Sequence, residues 1–108
     1  MKKTIFFASM ILAIACGAPK VATTTAEMNQ SDADRAAAKF PGTTLADLQK
    51  GKTIYEANCG KCHKLHAPNS RGEEGWKKIV PPMAKKAKLD DASMDLTLKY
   101  LVTMSEVK

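Results

Sequence analysis

The sequence is short of the features that mark most functional classes, and each shortage excludes something. No apolar stretch approaches the roughly 20 residues that a membrane-spanning helix needs. The run Ile5–Ala15 has only 11 residues. No segment alternates apolar and polar residues convincingly, so no strand is expected and the fold class reads as all-α. There is no internal repeat, and 108 residues allow one small domain. Basic residues are not interleaved with aromatics, and the formal net charge is only +6. That argues against a nucleic-acid binder. No side chains are spaced for acid–base work, so no catalytic site is expected and the chain does not read as an enzyme.

What the chain does have begins at its N-terminus. Lys2 and Lys3 precede the apolar run, which together form the charged and apolar regions of a secretory signal over residues 1–15. Export is therefore expected. Two processing routes compete at the end of this run. Ala13-Ile14-Ala15 is a site for ordinary cleavage, whereas Cys16 after a small residue resembles a bacterial lipobox. The leucine of that lipobox, Leu12, stands one place further upstream than usual. Of three cysteines two are needed elsewhere, and an odd thiol in an exported chain favours lipidation of Cys16. Acyl chains there would contribute roughly 0.8 kcal/mol per buried CH₂ and tether the protein to a membrane.

Without residues 1–15, 15 basic residues face 11 acidic ones. The excess lies in 45–108, with 12 against 8. A solvated face is the plain reading, and steering of acidic redox partners is the functional one. Residues 16–43 are rich in Ala, Thr, Ser, Asn and Gln, with few large apolar residues, and read as a flexible tether closed by Pro41-Gly42. Residues 44–108 form the expected domain. Thr44 is a helix cap with Asp47 three residues on, and Leu48, Gly51, Tyr55 and Cys59 share one helical face. A second helix is expected from Glu73 to Val80, ended by Pro81-Pro82, with a short turn from Pro82 through Lys88. A third is expected from Ala92 to Met104, capped at or near Asp91, with Met94, Thr97, Leu98, Leu101 and Met104 on one face. So short a folded stretch is near the limit of independent stability.

The stretch Cys59-Gly60-Lys61-Cys62-His63 carries the chemistry. A C-x-x-C-H run reads as c-type haem attachment. Two thiols three positions apart reach two vinyl groups on one haem edge, and the next residue's imidazole then sits beneath the iron. The expectation is one covalent haem c on Cys59 and Cys62, with His63 as proximal ligand. The other imidazole nitrogen should donate to a carbonyl, for which Pro68 O is the candidate. Rival readings are weaker. A redox dithiol needs a βαβ context that is missing. Zinc on Cys59, Cys62, His63 and His66 would need adjacent residues as two corners of one tetrahedron, with no second ligand pair downstream.

For the sixth iron ligand Met83 is preferred, because the rigid Pro81-Pro82 can turn its side chain inward. Met94 and Met104 lie on an apolar stripe where core packing is the ordinary role, and His66 is very close to His63. An iron with no sixth ligand, acting as a sensor or a peroxide- or gas-binding centre, is the alternative. Trp76 could pack on the haem, donate to a propionate, or be plain core. Arg71 reads more simply as a solvated loop residue than as a propionate partner.

These residues resemble the small monohaem cytochromes c with a class I-like helical fold. The resemblance covers Leu45–Met104. It rests on Gly51 to Tyr55 leading into the CxxCH run, and on Trp76, Ile79, Val80 and Met83 after it. It implies a compact three- to four-helix fold around one covalent haem. Gly51 and Tyr55 would meet Leu98, Tyr100 and Leu101, and the iron would carry His63 and Met83. It also implies one-electron carriage between periplasmic or membrane redox partners. The chain departs from longer members in having only 20 residues from His63 to Met83 and no Gly-Pro loop between them.

Overall fold

The computed structural model describes residues 27–107. The expected signal segment, Cys16 and the first part of the expected tether lie outside the described residues. Four α-helices run in the order α1 (Gln30–Lys39), α2 (Leu45–Cys59), α3 (Glu73–Lys86) and α4 (Asp91–Ser105), with a 3₁₀ turn at Pro68–Ser70. Among the described residues there is no strand.

Helix α2 begins as expected. The Thr44 side chain accepts from Asp47 N, and Asp47 accepts from Thr44 N, which closes a capping box. These bonds hold the pKa of Asp47 below the ordinary carboxylate value. The helix packs on α4 with Gly51 at the crossing. A Cβ there would overlap the Leu96 carbonyl oxygen and lie 2.9 Å from Tyr100 Cβ. Tyr55, one turn on, meets the Tyr100 ring at 6.1 Å. The helix crossing expected from the family resemblance is thus present, with Leu96 rather than Leu98 against the glycine.

Helix α4 is the hub. The sequence pattern gave it a single apolar stripe, but its buried residues are Thr97, Tyr100, Leu101, Val102 and Thr103. Met94, Leu98 and Met104 are only partly buried. The difference has a simple cause: α1, α2 and α3 all pack on α4, so more than one of its faces is covered. Asp90 caps it by accepting from Ser93 N at 2.6 Å.

Two expectations are corrected. Residues 30–39 are not tether but helix α1. Asn29 and Asp32 form a capping box, and Ala33 and Ala36 are buried. Small side chains let α1 lie close to its neighbours, so it needs no large apolar residue to dock. Arg35 donates to Thr103 O at 3.3 Å and pairs with Asp32. Lys39 bridges Glu73 at the start of α3 and Glu106 just past α4. The second correction is α3, which continues through Pro81 and Pro82 to Lys86. Proline fits helical φ but removes an N–H. The carbonyls left without intrahelical donors belong to Lys77 and Lys78, both exposed to water. Burial of Trp76, Val80 and Ala84 on the inner face offsets the local penalty. The helix ends with Lys88 in the left-handed region (φ 57°) and Leu89 N donating to Ala84 O.

The Lys39 node predicts an acid sensitivity. Hydrogen bonds from Lys39 and Lys77 hold Glu73 well below its ordinary range, at about 2. A carboxylate depressed in the folded state adds stability above its unfolded pKa, and that stability is lost as pH falls through the folded one. Thermal melting followed by circular dichroism should therefore weaken between about pH 4.5 and about pH 2. Glu73→Gln should flatten that slope.

Candidate functional site

Helix α2 delivers Cys59 at its last residue, half-buried, and the turn after it presents Cys62 and His63 to solvent. Burial, and secondarily the nearby Cys62, push the Cys59 thiol pKa up. His63 Nδ1 lies 2.9 Å from Lys64 O. A carbonyl only accepts, so Nδ1 is the donor in this contact, and in the neutral ring Nε2 keeps its lone pair. The expected acceptor, Pro68 O, is instead taken by Trp76, whose Nε1–H donates to it at 2.7 Å. Trp76 is both core, at 3% exposure, and donor, but its donor serves the chain itself rather than a propionate.

Cys59, His63 and Trp76 border one open cleft of about 180 Å³. This is smaller than the range of about 300–1,000 Å³ typical of small-molecule and cofactor sites. Tyr55 and Cys59 line it from α2, His63, His66 and Arg71 from the loop, and Ile79, Val80 and Met83 from α3. Thr97 and Leu101 of α4 close it. On α4 these two lie away from Thr103, which receives α1: at 3.6 residues per turn, Thr103 is about 200° round from Leu101. The walls are mainly apolar. The cationic exception is Arg71, whose guanidinium sits 5.9 Å from the Trp76 ring centroid.

The sequence-based candidates separate clearly here. Cys59, His63, His66 and Met83 share the cleft, whereas Met94 and Met104 are not among its lining residues. Cys62 also lies outside the lining set, exposed on the turn. The imidazoles of His63 and His66 stand 5.5 Å apart, tilted by 46°. Among the described residues no three His, Cys, Asp or Glu side chains are grouped to hold a metal ion.

Sequence reasoning missed Tyr55 as a cleft residue. Its hydroxyl donates to His66 O at 2.6 Å, and its ring meets Trp76 edge to face at 6.1 Å. Burial pushes its pKa up. Among the described residues no helix is long and apolar enough to cross a membrane. Compared with known proteins, the chain matches no family model, no curated protein and no solved structure.

Proposed function

We propose that this chain is an exported monohaem cytochrome c that carries single electrons between redox partners and is tethered to a membrane through lipidated Cys16. One observation carries the reading: the cleft that receives Cys59 and His63 from the CxxCH run also receives Met83 from α3. The donor set fits the group. Cys59 and Cys62 would hold it as thioethers, His63 Nε2 and Met83 Sδ would ligate the iron, and the apolar walls would exclude water from it. When bound, haem supplies an iron that cycles between Fe(II) and Fe(III). The chain's own work is to hold and shield. Lys64 O fixes the His63 ring, and Met83, a thioether rather than an imidazole, favours the higher potentials of a His-ligated centre.

Charge is distributed in keeping with an acidic partner. Residues 60–88, which supply much of the cleft wall, hold eight cationic side chains and two carboxylates. The remaining described residues hold five cationic side chains and nine carboxylates. Such segregation orients an approaching acidic surface and weakens with salt.

The decisive test is acid–acetone extraction of the protein purified from its host. Colour that stays with the polypeptide supports covalent haem, and colourless protein, or haem that extracts, sinks it. Intact mass on the same sample reports the attached haem and any acyl chains. For the distal ligand, Met83→Ala should abolish the near-infrared band of a methionine–iron bond, and an unchanged band would assign that ligand elsewhere. Loss of the band together with new CO binding is the expected pair of results.

A further inference from the structure

The stretch that follows His63 has little to hold it. His63, Lys64, His66 and Ala67 are exposed, and Leu65 alone is partly packed against the core. Loops with so few buried contacts open readily. Yet two buried aromatic donors converge on it from different helices. Tyr55 of α2, 6% exposed, donates to His66 O at 2.6 Å, and Trp76 of α3, 3% exposed, donates to Pro68 O at 2.7 Å. The two carbonyls are two residues apart, and the two rings pack edge to face with planes at 80°. Neither donor has water to fall back on, since a buried polar group without a partner is costly. The loop is therefore stitched to both walls of the cleft three and five residues after His63.

We infer that Tyr55 and Trp76 are positioning residues for His63: by holding the His66 and Pro68 carbonyls they fix the peptide that carries the imidazole, and so the direction in which its Nε2 faces the cleft. The inference rests on the proposed haem ligation for its consequence but not for its geometry. Lys64 O sets the ring's tautomer, and the two aromatic donors set the backbone from which Lys64 O projects. Tyr100, in the same aromatic cluster with its ring 6.1 Å from that of Tyr55, donates to neither carbonyl. It is the natural control.

The test uses the full-length purified protein and the variants Tyr55→Phe, Trp76→Phe and Tyr100→Phe, of which the first and third keep the ring and lose only a hydroxyl. Hydrogen–deuterium exchange of the backbone amides of residues 64–70 should rise about tenfold in Tyr55→Phe and Trp76→Phe, the factor expected for loss of one buried hydrogen bond. It should be unchanged in Tyr100→Phe. In the ferric protein, the low-spin EPR signal reports imidazole orientation, and it should broaden or split in the first two variants only. Faster exchange with a single unaltered EPR signal would mean that the donors hold the loop without positioning His63, and the inference would be overturned. Unchanged exchange would overturn it as well. Protein that lacks haem but shows the exchange pattern would instead refute the cytochrome reading and the positioning of an iron ligand, leaving only the stitched loop.

Discussion

Gly51→Ala should lower the melting temperature by roughly 12 °C or more, which corresponds to about 3 kcal/mol for a domain of this size. The added Cβ would overlap the Leu96 carbonyl oxygen and press on Tyr100 Cβ. Neither neighbour can give way cheaply, because one is backbone and the other is anchored in a buried ring. The only relief is separation of α2 from α4, and that is the largest helix–helix contact in the fold. It would also withdraw Leu48 and Tyr55 of α2 from Leu101 of α4 in the core. Gly72→Ala provides the comparison, because a Cβ at that position meets nothing within 4 Å. Equal melting temperatures for the two variants, measured by circular dichroism, would refute a helix crossing at Gly51.

The second large effect is expected from the paired substitution Cys59→Ala, Cys62→Ala. In the proposed reading these thiols are the sole covalent holds on the haem. The double variant should release all of its haem into acid–acetone, where the parent releases none. Either single variant should retain it through the remaining thioether. The cleft makes the consequence broader than lost colour. Its walls include Trp76, Val80 and Leu101, which also belong to the core. A domain of this size has little apolar burial in reserve. Melting of the double variant should therefore fall alongside its haem content. Haem retained by the double variant after extraction would remove the CxxCH run from its proposed role.

Some of this was legible in the sequence because the signals were local. Thr44 with Asp47, the spacing from Leu48 to Cys59, and Asp91 or a neighbour as the cap of α4 are all short-range patterns. They appear in the fold with small shifts in boundary. Cys59, His63 and Met83 do line one cleft, but Met83 reaches it as part of α3 and not from a break at Pro81-Pro82. What failed depended on distance. The penalty at Pro81-Pro82 is local, but what outweighs it is burial of Val80 and Ala84 against other helices. Helix α1 carried a legible capping box in Asn29 and Asp32, yet its docking uses alanines and a carbonyl of Thr103. The hydrogen bonds of Tyr55 and Trp76 were hidden for a related reason. Their acceptors are main-chain oxygens, which every residue possesses, so no residue type at 66 or 68 signals them.

Helix α1 also decides where mechanical load enters the molecule. A pull on the chain ahead of Asn29 reaches the Arg35 contact with Thr103 and the Lys39 bridge to Glu73 and Glu106 before it reaches α2. The Arg35 contact stands on the flank of α4 away from Thr97 and Leu101, and Lys39 adds its hold at the start of α3 and just past α4. Helix α1 thus works as strain relief, like the clamp where a cable meets its housing. In the proposed tethered protein, tension from the N-terminal side would meet these contacts before it reached Cys59 at the far end of α2.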